Sequence, residues 1–423
     1  MESPEGRKVD ILVLGAGFGG LYAALYLQEE FRHERDVEVV LIDQNNYHTF
    51  TPLLPEVAAG AILSQHVTYP LRQLGFRFIQ GVVKGIDLQA KRVVLETIEL
   101  RYDYLVIALG SVSDYFGMEE VRRNSLVLKS LWDALVIKNH ILKVFEAAAI
   151  EGDEERKRAL LTFVVAGAGP GGVEVVSEIR HYITGTLASY YPTIEVGQVR
   201  TVLVHAGDRV LPHLTPDLSQ AALEELKKMG IEVRLKTRVT GAPEGQVLLG
   251  GQEAIPTRSL LWTTGVKASP VADTMPVERD RSGRIKVDEY LEVLAFPGVY
   301  AVGDIACAID PRAGKHFPPV APVAIREGVM AAVNIINDYR GRPKEPFRYD
   351  YLGDMVSLGS NSAIVIFLGI KIKGRLGWWF YRATFLLKLF GFRNKVLLLI
   401  HWIEGLFFER DICLVEGCAE RIL

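Results

Sequence analysis

The stretch Asp10-Ile-Leu-Val-Leu-Gly-Ala-Gly-Phe-Gly-Gly20 decides the fold. Asp10–Leu14 is a short apolar run stopped by Gly15, which reads as a strand buried inside a parallel sheet. Gly15, Gly17 and Gly20 stand at the spacing GxGxxG. Apolar residues at helical spacing follow from Leu21 to Leu27, and Val37–Ile42 reads as a second strand that ends on Asp43. Strand, glycine turn, helix and strand make a βαβ unit. The glycines allow a tight turn and close approach of the backbone to a pyrophosphate. The helix N-terminus supplies free N–H groups and the positive end of a dipole, and Asp43 can accept hydrogen bonds from ribose hydroxyls.

The unit recurs further along the chain. Leu161–Ala166 is a strand, Gly167-Ala-Gly169-Pro-Gly171-Gly172 is a second glycine turn, a helix runs from Val173 to about Arg180, and Arg200–Val204 is the returning strand. One GxGxxG is weak evidence; two, each between a strand and an apolar helix, are specific. The copies differ where the first has Asp43 and the second has His205. Histidine lacks the two-acceptor grip of a carboxylate on a ribose 2′-hydroxyl and tolerates a 2′-phosphate better. The other reading of His205 is a solvent-facing strand end, with a neighbour reading the ribose.

Two dinucleotide sites on one chain bring two cofactors together. The usual pair is a flavin that stays bound and a nicotinamide that comes and goes, with hydride passing from nicotinamide C4 to flavin N5. Tyr104–Gly110 and Leu260–Gly265 are apolar runs that end in glycine, which adds Gly110 and Gly265 to the cofactor-binding candidates. Gly298–Asp304 closes on an acid. Gly303-Asp304 is expected to lead into a helix, where Asp304 suits a ribityl hydroxyl and the dipole favours an anionic reduced flavin; the alternative is that Asp304 caps that helix. A further helix is predicted over Ala321–Tyr339, after Pro318-Pro319.

Composition sets the bounds. The chain has 423 residues, 49% apolar and 23% charged, so two or three domains with a large core are expected and disorder is not. A net charge of −3 and a pI near 6.3 argue against a nucleic-acid partner. Three cysteines exclude a disulfide scaffold, and no Cys/His spacing suggests a metal, so none is expected. Residues 1–9 are polar and carry no sign of a signal or transit peptide. The mean hydropathy of +0.17 is high for a freely soluble enzyme.

The excess collects near the end. Between Met355 and Ile403 there is no Asp or Glu, but seven Lys or Arg and a run of aromatics including Trp378, Trp379 and Trp402. Leu376–Phe390 and Val396–Phe408 fall short of the roughly 20 residues a spanning helix needs. They are expected to be amphipathic helices lying in a phospholipid surface, with Trp378 and Trp379 at the headgroups and the basic residues drawn to anionic lipid. A buried dimer or domain interface with a basic rim is the alternative.

With these pieces in hand, the chain resembles the type II NADH dehydrogenases, the single-subunit NADH:quinone oxidoreductases that do not pump protons. The resemblance rests on Gly15–Gly20 with Asp43, Asn46-Tyr47-His48-Thr-Phe50-Thr-Pro52-Leu53-Leu54, Gly167–Gly172 with Glu174, Ala301-Val-Gly303-Asp304, and Gly391-Phe-Arg393-Asn394-Lys395 with Trp402. It implies an α/β fold of two Rossmann-type domains of the glutathione-reductase kind plus a C-terminal amphipathic helical membrane anchor. The implied division is 1–115 with 295–350 for FAD, 116–294 for NAD(P)H, and 351–423 for the membrane. FAD would lie on Gly15, Gly17, Phe18, Gly19 and Gly20, with Asp43, His48 and Asp304, and the nicotinamide on Gly167, Gly169, Gly171 and Gly172. Glu174 would stand near the contact between the cofactors, or else be an acid in the first turn of its helix. Pro52, in Pro52-Leu-Leu-Pro55, would line the flavin pocket close to the quinone.

The implied activity is FAD-dependent transfer of two electrons from NADH or NADPH to a membrane quinone, on the cytoplasmic face of the cell membrane, by a peripheral protein that can form a homodimer. Departures from the family pattern fall at the acceptor. Its Ala-Gln-x-Ala-x-Gln motif is Ala321-Pro322-Val323-Ala324-Ile325-Arg326 here, so Pro322, Val323 and Arg326 are the quinone-site candidates, and a frequent lysine is Ser362. Three other readings stand beside this one: an NADPH-preferring reductase of naphthoquinone-type compounds, a sulfide:quinone reductase, and a non-enzymatic flavoprotein. The second needs a redox cysteine pair, whereas Cys307 is alone near Asp304 and Cys413 and Cys418 lie far from the first βαβ unit.

Overall fold

The computed structural model describes residues 8–312 and 314–414. Residues 1–7 and Cys418, on which the leader reading and the Cys413–Cys418 pairing depend, lie outside the described residues. The chain forms two compact units. The first contains residues up to His48, Tyr69–Val112 and Val266–Tyr351; the second contains Thr49–Thr68, Ser113–Gly265 and the chain from Leu352 onward.

In the first unit a parallel sheet runs in the order Val299–Ala301, Tyr104–Ile107, Val9–Leu14, Val37–Asp43, Arg77–Gln80. Its central strand is apolar from Ile11 to Leu14 because both faces are covered there: Ile11, Val13 and Leu14 are fully buried. Leu14 pairs with Ile42 on one side and Ile107 on the other, so the chain leaves the sheet between two neighbours, at the carboxyl ends of the strands. That is where open parallel sheets receive ligands. The helix Phe18–Phe31 covers one face and packs on Ala321–Tyr339. The backbones nearly touch: a Cβ at Gly328 would lie 2.0 Å from the Gly19 carbonyl oxygen. Helix Ala321–Tyr339 has the bounds its sequence predicts.

The helix expected directly after Asp304 is absent. Gly303, at φ +72°, turns the chain through one 3-10 turn, Gly303–Ile305, and Ala306–Cys307 then pairs with Ile285–Lys286 as a short strand. The positive end of a helix is supplied instead by Ala321–Tyr339, whose Ala324 Cβ would lie 3.4 Å from a Cβ at Gly303. Asp304 is therefore not a helix cap.

The second unit repeats the plan with four parallel strands, Glu232–Arg234, Arg200–Val204, Thr162–Ala166 and Ser259–Trp262. The helix after its glycine turn is Pro170–Tyr182, opened by a proline whose missing N–H costs nothing at that position. The C-terminal stretch adds the antiparallel strands Met355–Ser357, Ala363–Phe367 and Ile370–Lys373, then helices Gly374–Lys388 and Phe392–Glu404. Gly391, at φ +77°, breaks the chain between these helices.

The expected division shifts in three places. Residues 266–294 pack in the first unit, Thr49–Thr68 packs in the second, and the stretch from Leu352 is part of the second unit rather than an appendage. Asn394 Nδ2 donates to the Thr68 carbonyl at 2.6 Å, and Trp378, Tyr381, Leu398 and Trp402 are buried. Cutting the chain at residue 351 would thus unroof a core, so it is no test of membrane anchoring. Among the described residues no helix is long and apolar enough to cross a membrane.

Candidate active site

The first glycine turn is a built cradle. Gly15 has φ +96°, and a Cβ at Gly20 would sit 1.9 Å from the Gly15 carbonyl oxygen, so both positions need glycine for the turn itself. A Cβ at Gly17 would meet nothing within 4 Å. The open space at Gly17 lies at the start of helix Phe18–Phe31, where unpaired N–H groups face outward. Asp43 staples the turn from the next strand: its Oδ2 accepts the Ala16 N–H at 2.6 Å and its Oδ1 the Asn45 N–H at 2.7 Å. Burial raises its pKa, and these two N–H groups offset only part of that rise. His48 is 1% exposed, and burial lowers it to about 4, so it is neutral. Its Nδ1 lies 2.8 Å from the Ala16 carbonyl, which makes Nδ1 the protonated nitrogen. The Phe18 ring meets the His48 ring edge-on at 5.2 Å.

Ser111 Oγ donates to Asp304 Oδ2 at 2.6 Å. Beside it Glu327 Oε2 accepts the Gly303 N–H at 2.6 Å. Glu327 is 3% exposed, and burial, aided by Asp304, raises its pKa to about 8. Sequence reasoning missed both Ser111 and Glu327; neither belongs to a motif, and only chain folding brings them to Asp304 and Gly303. Gly110, at φ +66°, accepts the Ser269 N–H through its carbonyl.

The second turn is stapled at the corresponding N–H, by a different acceptor. Gly167 has φ +111°, a Cβ at Gly172 would lie 1.8 Å from the Gly167 oxygen, and Cβ atoms at Gly169 and Gly171 would meet nothing within 4 Å. Here the Ala168 N–H points to His205 Nδ1 at 3.3 Å. Burial lowers the His205 pKa, which keeps that nitrogen an acceptor. A cavity of about 480 Å³ opens beside the turn, lined by Gly167, His205, Thr237, Arg238, Thr240 and Thr264 among others. Gly265 has a structural explanation: φ is +74°, and a Cβ would strike the Phe116 ring at 2.5 Å.

Glu174 lies in the second turn of Pro170–Tyr182, not the first, so the dipole reading does not hold. Its Oε1 accepts the Ser357 N–H at 3.1 Å and lies 3.5 Å from the Tyr381 hydroxyl. Desolvation, reinforced by Glu56 and Glu178, raises its pKa to about 8. Glu56 is also raised, by burial against the pull of Arg382. Trp402 Nε1 donates to Glu56 Oε2 at 3.1 Å, and Arg410 pairs with Glu178 at 2.9 Å. The Arg382 guanidinium lies between two rings, 3.9 Å from the Trp378 centroid and 4.6 Å from that of Trp402. Arg382 and Trp378 were both expected at a lipid surface; Trp378 is buried and Arg382 half-buried, and of the tryptophan pair only Trp379 is exposed.

A raised carboxyl pKa has a stability consequence. Between pH 4.5 and 8 the folded chain holds a proton on Glu174 that the unfolded chain has released, so stability falls as pH rises through that window and levels above it. Glu174→Gln should make the decline from pH 5 to 8.5 shallower by roughly 1–3 kcal/mol. Chemical denaturation at several pH values checks this; parallel curves for the two proteins would refute it.

The sequence pattern of the pyridine nucleotide-disulphide oxidoreductase family matches residues 9–328. A type II NADH:quinone oxidoreductase of Mycobacterium tuberculosis is 33% identical over 95% of this chain and 87% of its own length. The chain belongs to the type II NADH:quinone oxidoreductase family. An internal alternative NAD(P)H-ubiquinone oxidoreductase of Arabidopsis thaliana is 28% identical, over 96% of this chain and 86% of its own. In fold, the chain is similar to an NDH2 of Plasmodium falciparum solved with NADH, at a TM-score of 0.89 and 21% identity, over 96% of this chain and 100% of that one. A sulfide:quinone oxidoreductase of Aquifex aeolicus has a TM-score of 0.72 and 18% identity, over 98% of this chain and 94% of that one.

Two of the quinone-site candidates share one face of their helix. Pro322 and Arg326, four residues apart, share the exposed face of Ala321–Tyr339, while Val323 is buried on the other. Pro52 opens a 3-10 turn, Thr51–Leu53, in the second unit. The described cysteines, Cys307 and Cys413, are free. The expectation of no metal-ligand cluster needs correction: Asp280, Cys307 and His316 bring donor atoms within 4.8 Å of one another.

Proposed function

We propose that the chain is a FAD-dependent NAD(P)H:quinone oxidoreductase working at a membrane surface. The observation that carries this is the pair of glycine turns. Each leaves room where a Cβ would stand and is stapled to the end of the neighbouring strand. Gly15, Gly17, Gly19 and Gly20 with Phe18, Asp43, His48, Gly110, Gly303 and Asp304 would hold FAD; the Gly17 cradle fits a pyrophosphate because nothing of the protein fills it. Gly167, Gly169, Gly171 and Gly172 would take the NAD(P)H pyrophosphate. Bound FAD supplies hydride acceptance from the nicotinamide and two-electron delivery to a quinone.

The protein's own groups do the rest. Asp43 orients the first turn and offers a ribose acceptor. Glu174 carries a proton at neutral pH inside a cluster of three carboxylates and two guanidinium groups. His205 presents no negative charge to an adenosine ribose, and Arg238 lines the same cavity. This favours acceptance of a 2′-phosphate, hence of NADPH beside NADH. Exposed apolar and basic residues on the two C-terminal helices would dock the protein on the cytoplasmic face of the membrane, where a lipid-dissolved quinone arrives.

Anaerobic titration tests the reading. The purified yellow protein should bleach on adding NADH or NADPH, and a quinone should restore the colour. A flavin that bleaches with neither nucleotide would overturn the assignment. His205→Glu should move the ratio of kcat/KM for NADH over NADPH at least 10-fold toward NADH; an unchanged ratio removes His205 from nucleotide selection.

A further inference from the structure

We propose that Asp280, Cys307 and His316 form a binding site for a thiophilic divalent cation of the zinc class. The three come from separate strands and turns of the first unit. Cys307 ends the short strand Ala306–Cys307, which pairs with Ile285–Lys286. His316 lies opposite Ile309 in the hairpin Ile309–Asp310 with Lys315–His316. Asp280 heads a tight turn, where the N–H groups of Ser282 and Arg284 donate to its Oδ1 at 2.8 and 2.9 Å and the Arg284 guanidinium fixes its Oδ2 at 2.7 Å. None of the three belongs to the residues assigned to FAD, the nicotinamide or the quinone, and the inference does not depend on the proposed activity.

The donor set and its spacing suit such an ion. Zinc takes thiolate sulfur at about 2.3 Å and imidazole nitrogen at about 2.05 Å, which at a tetrahedral angle puts sulfur and nitrogen roughly 3.6 Å apart. Cys307 Sγ and His316 Nδ1 stand 3.3 Å apart. The carboxylate atom lies within 4.8 Å of both, on the same side of the site, where it can serve as a third ligand. Sulfur, imidazole and carboxylate together select zinc-like ions over calcium or magnesium, which take oxygen alone. Three protein ligands leave a fourth position for water, and the exposed His316 gives an ion a path in from solvent.

A thiol binds such an ion as a thiolate, so binding exchanges an S–H bond for an S–metal bond and releases one proton to water, with no change of oxidation state. Arg284 places a positive charge against Asp280 and costs affinity, which makes the site exchangeable rather than a permanent structural one.

The full-length holoprotein with FAD bound, carrying Cys413→Ser and Cys418→Ser so that Cys307 is its only thiol, is titrated with Co²⁺ without oxygen. One equivalent should produce a thiolate-to-cobalt charge-transfer band in the near ultraviolet, and ligand-field bands on the long-wavelength side of the flavin absorption. Zn²⁺ should erase both by competition. Cys307→Ser should abolish the charge-transfer band, and His316→Ala, an exposed position that leaves the fold alone, should weaken cobalt affinity at least 10-fold. Retained flavin absorbance reports that each variant is folded. Absence of the thiolate band in the parent protein, or unchanged affinity in His316→Ala, would show an ordinary hydrogen-bonded cysteine and overturn the proposal.

Discussion

Gly17→Val should purify as a folded, colourless protein. Gly17 has φ −68° and ψ −171°, extended backbone that valine adopts without strain. Its Cβ would meet nothing within 4 Å, so the fold has no reason to object. The added methyls would fill the space above the first N–H groups of Phe18–Phe31, where a phosphate oxygen must come within about 2.9 Å of a backbone nitrogen to be held. Flavin occupancy should fall below about one-tenth of the parent's, read from the ratio of flavin to protein absorbance, while far-ultraviolet circular dichroism stays unchanged. The apoprotein should melt earlier, because a ligand bound only by the folded state stabilises it. A full complement of FAD in this variant would show that the first turn is not the flavin cradle. Gly20→Ala is the contrasting case. Its Cβ would sit 1.9 Å from a backbone oxygen, so it should fail at folding rather than at binding.

A triple change at exposed positions of the C-terminal helices and the turn after them, Leu387→Asp with Phe392→Asp and Phe407→Asp, should release the protein from membranes. These side chains are 75%, 82% and 78% exposed and lie among further exposed apolar residues, Leu376, Trp379, Leu399, Ile403 and Leu406. An apolar surface of this extent facing water marks something that covers it. Exposed Lys388 and Arg393 lie on the same stretch and favour an anionic lipid surface. Burying each large apolar side chain contributes roughly 1.5–3 kcal/mol, so losing three should lower affinity for anionic vesicles by at least about 100-fold. FAD content and reduction of a water-soluble quinone should persist, and reduction of a long-chain quinone held in vesicles should collapse. Unchanged recovery with membranes would defeat the lipid assignment. If the protein instead passes from dimer to monomer, the face joins two copies of the chain.

What the sequence could reveal was what it encodes locally. Asp10–Leu14, Gly15–Gly20 and Val37–Asp43 announce their strand, turn and strand because glycine geometry and continuous apolar runs act over a few residues; Leu161–Val204 does the same. Pro318-Pro319 and helical spacing fixed the limits of Ala321–Tyr339. The staples between turn and strand end were legible in part, since Asp43 and His205 follow their strands directly. Glu56 with Trp402, and Glu178 with Arg410, were not: these partners lie hundreds of residues apart, and nothing in either neighbourhood names the other. The acid-free window misled for the same reason. It showed that Arg382 lacks nearby acids along the chain, while the fold brings Glu56 to it from far upstream. The cluster of Asp280, Cys307 and His316 escaped because its ligands follow no regular spacing, and the turn at Gly303 escaped because an acid after a strand so commonly opens a helix.

Arg382 also ties the two C-terminal helices to each other. Its flat cation is gripped by Trp378 from its own helix and by Trp402 from the next, across the break at Gly391. Sliding one helix along the other would cost at least one of these ring contacts. A lysine would keep the charge but offer no plane for two rings to clasp, and that resistance would be lost.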